Sequence, residues 1–170
     1  MDITLLVLRV AHVVGAVFWV GTILFVVDFL QPALRDAGPA GSKVMLALQR
    51  RRYFTAVPVM ALVTLVSGLW LYWRDFGRFH PGPGASGAEL SFGIGGLASV
   101  VAFALGIAVM RPSALGLGRL AGEIEKADPA RRETLDAEVA RLRGRLKASG
   151  RIVVVLLTVA MVSMAIGRYL

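Results

Sequence analysis

"ITLLVLRVAHVVGAVFWVGTILFVVDFL", residues 3–30, carries three ionisable side chains, Arg9, His12 and Asp28, in an otherwise apolar run. A helix needs roughly 20 apolar residues to cross the hydrocarbon core of a bilayer. This run therefore decides the fold: it is a membrane-spanning helix. Arg9 and Asp28 frame the buried part. At ~1.5 Å per residue they lie about 28 Å apart, close to the hydrocarbon thickness. Arg9 can snorkel to one interface, with Asp28 near the other. His12 then sits less than a turn inside the membrane on the Arg9 side.

Three more runs have the same character, about 53–73, 90–110 and 152–169. The 170 residues make one all-α domain, an integral membrane four-helix bundle. Composition agrees: 56% of residues are hydrophobic and the mean hydropathy is +0.70, too apolar for a soluble domain. With no cysteine, the chain has neither disulfides nor thiolate metal sites. The first charge is acidic, Asp2, and no basic stretch precedes the apolar run, so that run is expected to stay in the mature protein.

The net charge of +8 would suit nucleic acid in a soluble chain, but its distribution fits a membrane protein better. Segments 31–52 and 111–151 hold 15 of the 19 basic residues. Four spans put both segments on one side. Basic loops stay in the cytoplasm, so both termini are expected to face outward, into the periplasm of a bacterial-type inner membrane. Trp70, Tyr72 and Trp73 form an interfacial aromatic belt at the outer side. "HPGPG", residues 80–84, reads as an outer turn, with His80 in solvent rather than on a metal. The partners implied are the lipid bilayer and further membrane subunits or a second copy, with no nucleic acid.

Segment 111–151 is too long for a plain loop. Leu117, Leu120 and Ile124 repeat at three and four; Leu135, Val139, Leu142 and Leu146 repeat at four, three and four. Asp128 and Pro129 between them suit an N-cap and first helical position. The third and fourth spans are therefore expected to extend into a cytoplasmic antiparallel helical hairpin. Ser42 reads as the N-cap of an interfacial helix to Arg52, and Pro58 as a bend one turn into the second span. Small residues (Gly95, Gly96, Ala98, Ser99, Ala102 and Gly106 in the third span; Thr64, Ser67 and Gly68 in the second; Ser163 and Gly167 in the fourth) are expected to pack the helices closely.

His12, Gly15, Ala16, Trp19 and Ile23 share a helix face. An intramembrane histidine either bonds to a polar atom of a neighbouring span or serves a function: haem ligation, copper binding or proton relay. Gly15 would leave room for a flat cofactor, and Trp19 could pack beneath it.

"HVVGAVFWVGTILF", residues 12–25, resembles the first span of a group of small bacterial membrane proteins. They include the HemJ-type protoporphyrinogen oxidases and the membrane domain of copper-resistance protein D (CopD-like). "TLVSGLWL", residues 64–71, resembles the group's second span, and "MAIGRYL", residues 164–170, the ending of its uncharacterised members. The resemblance implies haem b held by His12; with His12 near the outer interface, such a haem would lie beside Gly15 and Trp19, its propionates in reach of Arg9, Arg74 or Arg78. Copper on His12, Met161 and Met164 is the alternative. This chain has Arg9 where the HemJ-type enzymes place a Lys, and its third span contains no Lys, His or Asp. That speaks against oxidase activity. A non-catalytic accessory subunit of a respiratory or photosynthetic complex, without cofactor, is the other reading.

Overall fold

The computed structural model describes residues 2–77, 85–124 and 126–170. Arg78, His80 and the expected outer turn lie outside them. Helix α1 (Ile3–Phe25) is capped by Asp2, whose Oδ1 accepts from the Thr4 and Leu5 amides at 3.0 and 3.3 Å. It passes through a π-helical turn (Val26–Leu30) into α2 (Gln31–Asp36). Helix α3 (Pro39–Arg50) leads to α4 (Tyr53–Phe76). The second half repeats the plan: α5 (Gly87–Leu105), a π turn (Gly106–Met110), α6 (Arg111–Ile124), then α7 (Pro129–Gly167). Four of these continuous helices are long and apolar enough to cross a membrane. The protein is an all-α integral membrane bundle.

Both π turns have the same local cause. Pro32 and Pro112 each stand two residues after the turn's end. A proline ring in an α-helix clashes with the carbonyl four residues back and offers that carbonyl no N–H. Widening the preceding turn to i→i+5 relieves the clash; the Gln31 amide bonds to Val26 O, and the Arg111 amide to Gly106 O.

The bundle is built of two helical hairpins, α1 with α4 and α5 with α7, the most extensively packed pairs. In each, the first helix brings a glycine against its partner. A Cβ on Gly15 would lie 3.4 Å from Met60 O and closer still to Thr64 Oγ1; one on Gly95 would lie 3.2 Å from Ala160 O and 3.1 Å from Met164 Cγ. Three residues before each glycine comes a ring, His12 or Phe92, and it lies on a glycine of the partner helix, Gly68 or Gly167. An offset of 80 residues relates His12 to Phe92, Gly15 to Gly95, Val26 to Gly106 and Pro32 to Pro112. One packing plan is used twice.

Between α6 and α7, Asp128 caps α7, accepting from the Arg131 amide at 2.8 Å, with Pro129 opening the helix as expected. Leu120, Leu135 and Leu146 are buried, and Leu142 lies over Gly116. The antiparallel arm is thus present. Three details differ from expectation. Helix α3 starts at Pro39, so Ser42 lies inside it and caps nothing; Gly38, at φ +55°, makes the reversal instead. Helix α5 starts before residue 90, because Ser86 caps it by accepting from the Glu89 amide at 3.1 Å. Gly96 and Gly106 pack against nothing: a Cβ on either would meet no atom within 4 Å.

Candidate functional site

Two places in the bundle bear on function, at opposite depths. The first is His12. Its Nδ1 donates to the Thr64 carbonyl of α4 at 2.8 Å, and the ring rests on Gly68. A carbonyl accepts only, so the proton of the neutral ring is on Nδ1 and Nε2 keeps the lone pair. The neighbouring hydroxyls of α4 are satisfied within that helix: Thr64 Oγ1 donates to Met60 O at 2.8 Å and Ser67 Oγ to Val63 O at 2.6 Å. In the other hairpin Ser91 Oγ donates to Ser163 O at 2.7 Å. Among the described residues no buried side-chain polar atom lacks a partner.

Arg9, Gly15 and Trp19 lie along α1 with His12, within two turns of it. Thr64 occupies the space beside Gly15 that a macrocycle edge would need, and the imidazole itself occupies the space over Gly68. Trp19 is buried two turns deeper, edge-on to Phe103 of α5 with ring centroids 6.3 Å apart. Arg9 is exposed, and Arg74 pairs with Asp2 at 3.1 Å. Met164 lies against Gly95 in the other hairpin, while Met161 is exposed on α7. Among the described residues no three His, Asp or Glu side chains converge as a metal site.

The second place is a cavity between the two hairpins, reaching from Trp19 near mid-membrane to the end that carries the basic segments. Its volume is about 90 Å³, below the ~300–1,000 Å³ of sites for drug-sized ligands, so it suits a slender chain rather than a bulky ligand. Trp19 and Phe103 stand toward mid-membrane, Ala61 and Ala102 face into it from α4 and α5, and Val57 and Val153 add further wall. Ala61 and Ala102 are each 1% exposed, so small side chains, not loose packing at the surface, make the room. Both π turns border the cavity, through Val26 and Leu30 and through Gly106, Ile107 and Met110. Pro58 does too. Polar groups enter only at the mouth, with Gln31, Tyr53 and Arg111. Helix α3 lies across that mouth, Met45 and Leu48 facing in, and its Gln49 reaches Gly118 of α6.

Trp19, which sequence reasoning grouped with His12, lines the cavity. That reasoning missed Ala61, Ala102 and Arg111. The available signal was the pair of X-Pro dipeptides, Gln31-Pro32 and Arg111-Pro112, at equivalent places in two spans. No family model, curated protein or solved structure matches the chain.

Proposed function

We propose that this membrane protein is a binding protein rather than a redox enzyme, and that it takes a long apolar molecule into the cavity between its hairpins. The cavity carries the reading: an apolar-walled space inside the bundle, with polar groups confined to one end. That is the polarity profile of a site for the tail of an amphiphile. The charge rule orients it: the basic segments face the cytoplasm and both termini the periplasm, so the cavity lies in the cytoplasmic half of the membrane. His12, in the other half, serves as a tie between α1 and α4.

Trp19 supplies the test. Trp70 and Trp73 are its only fellow tryptophans, and both are exposed at the far end of α4. In a Trp70→Phe/Trp73→Phe background, Trp19 is the sole emitter. 1-Bromohexadecane, which quenches indole on contact, should quench it in the purified protein. Ala102→Phe fills the cavity and should remove that quenching with helicity by circular dichroism unchanged. Trp19 emission unaffected by the bromoalkane would overturn the reading. A single cysteine at Lys126, in a chain that has none, should react with an impermeant thiol reagent only once the cytoplasmic side is opened; reaction in intact cells would reverse the orientation.

A further inference from the structure

A second apolar space adjoins the cavity. On the lipid-facing side of α1 a shallow apolar groove runs along Val17, Phe18, Gly21, Thr22 and Phe25. It shares Val26, Leu30, Leu48 and Tyr53 with the cavity, so these side chains, between the first π turn and the corner where α3 joins α4, are all that separates the two spaces. Gly21 keeps the groove open: a Cβ there would meet nothing within 4 Å. Asp28, on the same π turn, lines neither space. The groove starts at membrane depth, and no charged side chain stands between it and the cavity.

Charge at the mouth is one-sided. Arg111 borders the cavity, and Arg50, Arg51 and Arg52 form the α3–α4 corner beside Tyr53. All four are exposed, and none makes an ion pair among the described residues. Arg52 holds the corner at φ +59°, a conformation that side chains other than glycine, asparagine and aspartate seldom adopt. No acidic side chain lines the cavity or the groove.

Resting on the proposed function, we infer that the ligand is an anionic lipid of the leaflet at the basic side. It enters sideways between the first π turn and the α3–α4 corner. One acyl chain lies in the cavity, and its phosphate meets Arg111 and the Gln31 amide at the mouth. Arg111 can offer a phosphate two parallel N–H bonds, and neighbouring guanidinium groups raise the local preference for anions.

The single-Trp19 protein in phosphatidylcholine vesicles tests this. Chain-brominated phosphatidylglycerol should quench Trp19 at a several-fold lower mole fraction than chain-brominated phosphatidylcholine. Arg111→Gln should remove most of that difference while leaving quenching by 1-bromohexadecane intact. Inorganic phosphate in the buffer should not displace the brominated lipid, since it lacks the chain. Equal quenching by the two lipids, or a preference untouched by Arg111→Gln, overturns the anionic headgroup but not the cavity as an apolar site. Iodide quenching Trp19 as strongly as brominated lipid places the opening in water and overturns the sideways route. No quenching by either lipid, with 1-bromohexadecane still active, overturns a lipid as ligand; loss of quenching by all three defeats the underlying reading as well.

Discussion

The two hairpins share a plan and differ at one telling position. In the first, the ring lying on the partner's glycine is an imidazole; in the second it is a phenyl. The first hairpin's interhelical bond comes from that ring, His12 Nδ1 to Thr64 O. In the second, the neighbouring Ser91 hydroxyl supplies it, to Ser163 O. Either way one side-chain donor reaches one carbonyl across the helix pair. In lipid such bonds and close packing hold helices together, because apolar side chains gain little by leaving other apolar surroundings. The comparison makes the histidine intelligible without a cofactor: it combines in one side chain what Phe92 and Ser91 do with two.

The largest effects come from filling the two seats. Gly68→Val and Gly167→Val should each destabilise by about 1–3 kcal/mol or more, because a rigid ring already occupies the space. His12→Ala should rescue the first and Phe92→Ala the second, with no rescue in the crossed combinations. Thermal unfolding in detergent reads all six variants; rescue across hairpins would break the comparison.

A middle effect separates the ring from its bond. His12→Ala empties the seat and loses the bond, whereas His12→Phe copies the second hairpin and loses only the bond. We expect His12→Phe to cost about 0.5–1.5 kcal/mol and His12→Ala clearly more. A histidine needed for metal or haem would show the opposite in function: both variants equally dead.

The smallest effect is Ser91→Ala, at roughly 0.6 kcal/mol, the average measured for interhelical bonds in a membrane protein. A loss of several kcal/mol would mean that Ser91 does more than its counterpart bond, and that the hairpins are less alike than their geometry suggests.

Much of this was readable in the chain, for reasons that vary by element. Hydropathy located the spans because lipid leaves a backbone few alternatives to helix. The break at Asp128-Pro129 was readable because capping is local chemistry. The Ser86…Glu89 spacing carries an equally local signal for the start of α5. The seat of His12 on α4 was foreshadowed by its shared face with Gly15, but the carbonyl it would find was not, since partner choice depends on tertiary packing. The cavity was the least legible feature. Ala61 and Ala102 look the same in sequence whether two helices close on them or stand apart. Only the separation of the hairpins decides between contact and void.

The π turn of α5 also sets the phase of everything beyond it. Ala98, Ala102, Met110 and Ala114 are all buried, at spacings of four, eight and four. Eight ordinary α-helical residues overshoot two full turns by about 80°, which would swing Met110 away from the bundle. The wide turn winds more slowly and cancels that overshoot. Met110 returns to the line of Ala102, and α6 leaves the membrane with Leu120 already aimed at α7. A single extra residue, accommodated in one slack turn, thus aligns two stretches of helix that would otherwise be out of step.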